Sequence, residues 1–441
     1  MESPSSAKKI GLWTSTSLVI GNMIGAGVFL MPSALASFGG ISIVGWLFSA
    51  AGALFLAMLF SRLSKMMPTG DGGPYAYTRK GFGDFPGFLV AWGYWISCWT
   101  TNATIAVSFV GALSLFIPVL GVNPVAAVAT ALVTVWGLTW VNARGVKEGG
   151  RVQVVTTLLK LIPLILVAFG GLFFIDFNNF LPFNLSGTSS FAAISATAAM
   201  TIFAFQGVEC ATIPAGNVKN PETTIGRATM IGTLVTIVVY VLSTVSVMGI
   251  IPAATLQESV TPFADAAEKV WGTGARYWIG AGVVISAFGA LNGWILIQGQ
   301  VPYAIAKDKL FPHIFEKKNK YGAPAFGIVI SSVLISILVF MNYTKGLVEQ
   351  FQFLVLLTTV MVLVPYLFSS ASYLMLLMEK KHLTSGGWIS AIILSAGGFS
   401  FSIWAIAGSG EKSVYWGFLM LLAGVPFYMW NIWKRKKIIN E

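Results

Sequence analysis

Apolar residues run along this chain in long blocks, and polar residues gather in short connectors between them. A helix needs about 20 mostly apolar residues to cross a bilayer. Twelve blocks approach or exceed that length, at residues 11–36, 41–62, 86–117, 123–143, 152–175, 189–215, 225–251, 277–305, 324–342, 350–378, 387–407 and 414–433. Lipid offers no partner to an unpaired backbone group, so blocks this long predict helices, which bond their own. The pattern therefore predicts an all-α polytopic membrane protein with twelve transmembrane helices.

The connectors predict its orientation. With the N-terminus inside, Lys8, Lys9, Arg62, Lys65, Arg79, Lys80, Arg144, Lys147, Arg151, Lys219 and Arg227 face the cytoplasm. So do Lys307, Lys309, Lys317, Lys318, Lys320, Lys380, Lys381 and the run Lys434 to Lys437. Only Lys269, Arg276, Lys345 and Lys412 fall outside. Cytoplasmic loops carry the excess of basic residues, so both termini are expected in the cytoplasm. Lys8, Lys9 and Ala34-Leu35-Ala36 also trace the outline of a signal peptide, but the apolar stretch between them is too long for one.

Composition removes other classes. Of 441 residues, 56% are hydrophobic and 10% charged, against ~25% charged in soluble domains. Mean hydropathy is +0.79. A soluble enzyme, a disordered scaffold and an ordinary nucleic-acid binder are excluded. The net charge of +11 follows from the cytoplasmic connectors and asks for no nucleic acid. Cys98 and Cys210 lie in apolar runs, and His313 and His382 in charged connectors. None has the spacing of a metal site. With no Gly-Lys-Ser/Thr phosphate loop in the sequence, neither a cofactor nor ATP is expected.

The informative positions are those that make poor helix. Gly21-Asn22-Met23-Ile24-Gly25-Ala26-Gly27 places three glycines in seven residues of the first block, and each costs ~1 kcal/mol relative to alanine inside a helix. Small residues allow close helix packing. They also allow an unwound segment, whose free amides hold a carboxylate and whose free carbonyls hold an ammonium. The sixth block has its own interruption, Phe203-Ala204-Phe205-Gln206-Gly207-Val208-Glu209. An acidic residue at membrane depth is expensive and marks function; here it is Glu209. Two interrupted spans, five apart, are the mark of an inverted-repeat transporter that binds at the midplane.

These motifs, with others in order along the chain, resemble a known family. They are Gly21 to Phe29 with Pro32, Gly72-Gly73-Pro74-Tyr75-Ala76-Tyr77 with Phe82-Gly83, Tyr94-Trp95 to Asn102, and Gly207-Val208-Glu209. Lys219-Asn220-Pro221, Gly293-Trp294, Asp308 to Pro312 and Val364-Pro365-Tyr366 complete the set. The chain resembles the amino acid–polyamine–organocation superfamily, and within it the bacterial basic amino acid/polyamine antiporters, including their arginine/agmatine branch. The resemblance implies a LeuT-like fold of two inverted five-helix repeats, over 1–175 and 189–378, with two further spans over 387–433 and a basic tail at 434–441. It also implies alternating access, a small amino acid or amine as substrate, and relatives that are often homodimers.

Residue by residue, the resemblance implies that amides around Ala26 and Gly27 hold the substrate carboxylate. Carbonyls near Met23, Phe203 and Gln206 take the α-ammonium. Trp294 stacks on a cationic side chain, an interaction worth ~0.5–2 kcal/mol. Asn102, with the backbone near Ser97 and Cys98, meets its distal end, and Thr358 is a polar cavity position. Tyr94, Glu209 and Tyr366 match gating positions. Two departures stand in the cavity wall: Phe203 replaces the Trp of the arginine/agmatine branch, and Gln206 an aliphatic residue.

Lys160 is a third departure. It lies about nine residues past Arg151, roughly 13 Å along a helix, deep for a side chain to reach the surface. By resemblance to sodium-independent members of the superfamily, its ammonium stands in for a sodium ion near the broken first helix. It would either titrate and couple transport to protons, since burial lowers a lysine pKa, or stay charged throughout. The leading expectation is a sodium-independent inner-membrane carrier of an L-amino acid, cationic by preference, working by exchange or proton coupling. The alternatives are a polyamine/amine antiporter and a non-transporting sensor. A polyamine has no carboxylate for the first-block amides and would want more acid than Glu209 supplies.

Overall fold

The computed structural model describes residues 10–25, 27–68, 72–144, 161–213, 215, 218–342, 344–379 and 385–440, with backbone alone at 385–386 and 435–440. Helices account for the chain's long elements. The pair α1 (Leu12–Met23) and α2 (Gly27–Ala36) is followed by α3 (Ser42–Met66), α4 (Pro74–Phe82), α5 (Asp84–Leu113) and α6 (Pro124–Ala143). After α7 (Leu161–Phe174) come α8 (Ser190–Ile202), α9 (Pro221–Ile250), α10 (Pro262–Trp271) and α11 (Thr273–Lys307). The series ends with α12 (Ala325–Met341), α13 (Leu347–Glu379), α14 (Ser385–Gly408), α15 (Glu411–Leu422) and α16 (Gly424–Asn440).

Among the described residues, nine helices are long and apolar enough to cross a membrane, ten if α1 and α2 form one bent span. Two shorter apolar helices, α7 and α12, fall on the fifth and ninth apolar blocks. The chain is thus a multi-pass membrane protein. Local sequence sets several starts. Asn123 accepts hydrogen bonds from the amides of Val125 and Ala126 at 3.0 and 3.1 Å, with Pro124 at the first helical position of α6. Ser189 caps α8 through the amide of Ala192 at 3.3 Å.

The helices are not equivalent. In the most apolar stretch of α5, 94% of residues are buried inside the protein, against 17% in the stretch from Glu411 to Lys434. The first is therefore enclosed by the rest of the bundle, and the second lies at its periphery. Around α5 pack α11, α13 and α12, while α9 packs on α1 and α3, and α8 on α3 and α14.

Both predicted interruptions are present. The first bends α1 against α2 by 42°. In the second, α8 ends at Ile202 and tightens into a 3-10 turn over Phe203–Phe205. Gln206 then turns extended, with ψ of 130°, and Gly207 follows at φ +107°.

Candidate functional site

The two breaks touch. A β-carbon on Gly207 would meet the Asn22 and Met23 backbone and the Asn22 side chain, all at 3.2 Å. Its φ also lies where side-chain-bearing residues are strained. Glycine is needed here on both counts. Close approach recurs at Gly27, where the Phe203 ring lies against the α-carbon and occupies the place a β-carbon would take.

At the first break the backbone closes on itself. The Ile24 amide donates to Ile20 O and the Gly25 amide to Met23 O, both at 2.7 Å. The Tyr240 hydroxyl, from the middle of α9, donates to the same Met23 carbonyl at 2.6 Å. Both lone pairs of that oxygen are thus engaged. The Met23 carbonyl, expected to receive an ammonium, is held by Tyr240 in this conformation.

At the second break a side chain dominates. Glu209 is fully buried. The Tyr94 hydroxyl, from α5, donates to its Oε1 at 2.7 Å, and the Tyr366 hydroxyl, from α13, to its Oε2 at 2.5 Å. The Gly207 amide adds a bond to Oε2 at 3.2 Å. One carboxyl group thereby ties α5 and α13 to the broken span. The three expected gating residues form a single cluster.

Between the breaks lies a small cavity. Met23, Gly27, Phe203, Gln206 and Trp294 line it, together with Asn22, Gly25, Val28, Thr101, Ile105 and Ala204. About 20 Å³ is open to the centre of a water-sized sphere, enough for a water and too little for an amino acid. The site is closed in this conformation. The Thr101 hydroxyl lies 3.0 Å from Gln206 Oε1, while Gln206 Nε2 is buried with no partner among the described residues.

Other expected residues sit apart from this cavity. Asn102 Nδ2 donates to Gln298 Oε1 at 2.7 Å, and Gln298 Nε2 continues to Ile328 O and Ser332 Oγ at 3.2 and 3.0 Å. Its Oδ1 is buried without a partner among the described residues. Ser97 Oγ donates to Tyr94 O at 2.7 Å. Cys98 and Thr358 are fully buried in α5 and α13. None of the four is among the residues lining the small cavity. Ala26 and Lys160 lie outside the described residues.

Three contributors escaped the sequence reading: Tyr240, Thr101 and Gln298. Gln298 had a usable signal, since it lies one helical turn after Trp294 on the same face. Thr101 stands one turn after Ser97. Nothing local marks Tyr240.

A second polar cluster joins α4, the start of α5 and the turn that follows α11. The Arg79 guanidinium lies 2.8 Å from Asp84 and 3.5 Å from Asp308, and the Tyr75 hydroxyl donates to Asp308 at 2.8 Å. Burial, then the hydrogen bond to Asp308, pushes the Tyr75 phenol well above its ordinary range. It stays a donor to Asp308 at physiological pH.

The chain matches the Amino acid permease family over residues 10–430. It is 32% identical over 438 residues to the cadaverine/lysine antiporter of Escherichia coli strain K12, covering 98% of this chain and 97% of that protein. It is 31% identical over 442 residues to the arginine/ornithine antiporter of Pseudomonas aeruginosa, covering 97% and 91%. To the arginine/agmatine antiporter of Chlamydia pneumoniae it is 28% identical over 451 residues, covering 98% and 92%. These relatives are transporters, not enzymes. The chain belongs to the amino acid permease family.

Proposed function

We propose that this permease is a secondary active antiporter of the inner membrane. It exchanges a cationic L-amino acid for a related amino acid or amine by alternating access. The observation that carries the reading is the meeting of two broken spans at a cavity that includes Trp294. Broken spans supply amides for a carboxylate and carbonyls for an ammonium. An indole adds attraction for a side-chain cation. The substrate-binding set is Met23, Ala26, Gly27, Phe203, Gln206 and Trp294, with Ser97, Cys98, Asn102 and Thr358 joining as the cavity opens.

Opening must part groups that are now joined. Substrate reaches the Met23 carbonyl when Tyr240 releases it, and space appears when the Phe203 ring leaves Gly27. Tyr94, Glu209 and Tyr366 form the gate between α5, α13 and the broken sixth span. Twelve spans, two inverted five-helix repeats and cytoplasmic termini complete the architecture. Transport is sodium-independent, with Lys160 supplying the charge that a sodium ion supplies elsewhere.

The relatives named for cadaverine and agmatine favour an amine as one of the exchanged species. An amine as the sole substrate fits less well, because it leaves the first-break amides without a carboxylate.

The test is uptake of labelled arginine and lysine into sodium-free vesicles reconstituted with the full chain, empty or preloaded with the same amino acid. Uptake confined to loaded vesicles is expected. Equal uptake into empty vesicles would overturn exchange, and uptake that requires sodium would overturn the role of Lys160. Normal sodium-free exchange by Lys160→Ala would overturn that role as well.

A further inference from the structure

A second, larger space lies on the outside of the bundle. A groove of about 620 Å³ runs between α5, α12 and the α15–α16 pair. Its walls are apolar almost throughout and rich in indoles, including Trp92, Trp95, Trp99 and Trp430, with Leu334 and Phe427 opposite. On α5 the lining extends from Phe88 to Trp99, about 16 Å at 1.5 Å per residue. That is close to one leaflet of a hydrocarbon core ~30 Å thick.

The walls are firmly set. The Trp95 indole donates to Ser331 Oγ and the Trp92 indole to Met420 O, both at 2.9 Å. Trp92 and Phe427 stack with ring centres 5.2 Å apart. These bonds fix indoles on α5 to α12 and α15, so the groove is shaped by the fold.

Basic residues neighbour one end of the groove. Phe311, Pro312 and Phe315 line it there, and Lys309 and Lys317 flank them in sequence. Lys434 Nζ sits 4.1 Å from the centre of the Trp430 ring, itself part of the wall. Asn431 Nδ2 donates to Lys309 O at 2.9 Å, which ties α16 to this turn. Nearby acids are occupied: Glu316 contacts His313 at 2.8 Å, and Asp308 is held by Tyr75 and Arg79. Among the described residues, Lys309, Lys317 and Lys434 have no acidic partner.

We propose that this groove binds an anionic phospholipid, with one acyl chain along the indoles of α5 and the phosphate at Lys309, Lys317 and Lys434. An apolar channel of leaflet length, flanked at one end by lysines that no acid holds among the described residues, matches a molecule with an apolar tail and an anionic head. A helix from a second copy fits less well. As an apolar span it would bring no anion to the lysines.

The test is native mass spectrometry of the detergent-solubilised full chain titrated with phosphatidylglycerol or with phosphatidylcholine of the same chains. An extra bound lipid is expected, favoured for phosphatidylglycerol by at least about fivefold, the effect of one lysine near an anionic headgroup. Lys434→Gln should remove about fivefold of that preference and leave phosphatidylcholine binding unchanged. Leu334→Trp, which fills the groove, should lower both. If its melting temperature shows misfolding, Ile337→Trp, at a half-exposed wall position, replaces it. Equal binding of the two lipids, insensitive to both substitutions, would overturn the proposal. So would a groove-filling variant that turns a dimer into a monomer while lipid binding stays intact, since the groove would then belong to a second copy.

Discussion

The two helix breaks touch each other but are held open by different means. The first is a backbone structure. Its carbonyl and amide groups bond to one another and to Tyr240, and it carries no charge. The second is a side-chain structure, in which Glu209 gathers a donor from α5, a donor from α13 and an amide of its own segment. A backbone break can recognise the part common to every amino acid. A break built on a buried acid can report whether neighbouring helices are in place. The difference is the ground for proposing that both breaks share in recognition while the Glu209 cluster of the second adds the gate.

The largest expected effect tests the proposed gate. Glu209→Ala leaves two buried hydroxyls and an amide without their acceptor. A buried donor left without its acceptor costs ~1–3 kcal/mol, so the exchange rate should fall roughly 100-fold or more. Initial rates in vesicles of matched protein content check this. A full rate for Glu209→Ala would show that the second break is held by shape alone.

Backbone demands come next. Gly207→Ala places a β-carbon against Asn22 and Met23 at positive φ, at a cost of ~1–3 kcal/mol. Gly25→Ala meets only Ile105 at 3.8 Å and Met23 O at 4.0 Å, ordinary contacts without positive φ. Thermal unfolding in detergent should therefore show a lowered midpoint for Gly207→Ala and little change for Gly25→Ala. Equal loss in both would erase the distinction between the breaks.

Smaller effects sharpen it. Trp294→Leu should raise KM for a cationic substrate by about 2- to 30-fold, the range of a cation–π contact. KM for a neutral substrate, if one is carried, should move much less. Tyr240→Phe frees the Met23 carbonyl and removes one neutral hydrogen bond, worth ~0.5–1.5 kcal/mol. Its unfolding midpoint should drop slightly, while substrate affinity stays level or improves. A loss of affinity would mean that Tyr240 positions Met23 for substrate instead of competing with it.

Much of this was readable from the residues. Block length gave the helices, because hydrocarbon thickness and backbone satisfaction leave few options. Gly25 and Gly27, and then Gly207 beside Glu209, announced both breaks, because glycine and acid are costly at those depths. The partners were hidden. Tyr240 meets Met23 across 217 positions, and Asn102 meets Gln298 across 196. Such pairings depend on how helices pack, and no local pattern encodes that. The closed state of the cavity was equally unreadable, since it depends on where one ring, Phe203, rests against Gly27.

The central claim is that the two breaks and Trp294 together hold a cationic amino acid. Its most direct test is equilibrium binding of labelled L-arginine and L-lysine to the purified full chain, with unlabelled competitors, in wild type and Trp294→Leu. The account predicts saturable binding of at least one of the two, competed by cationic amino acids and weakly by L-alanine, with affinity reduced in the variant. Binding unchanged by Trp294→Leu, or competed equally by L-alanine, would contradict it.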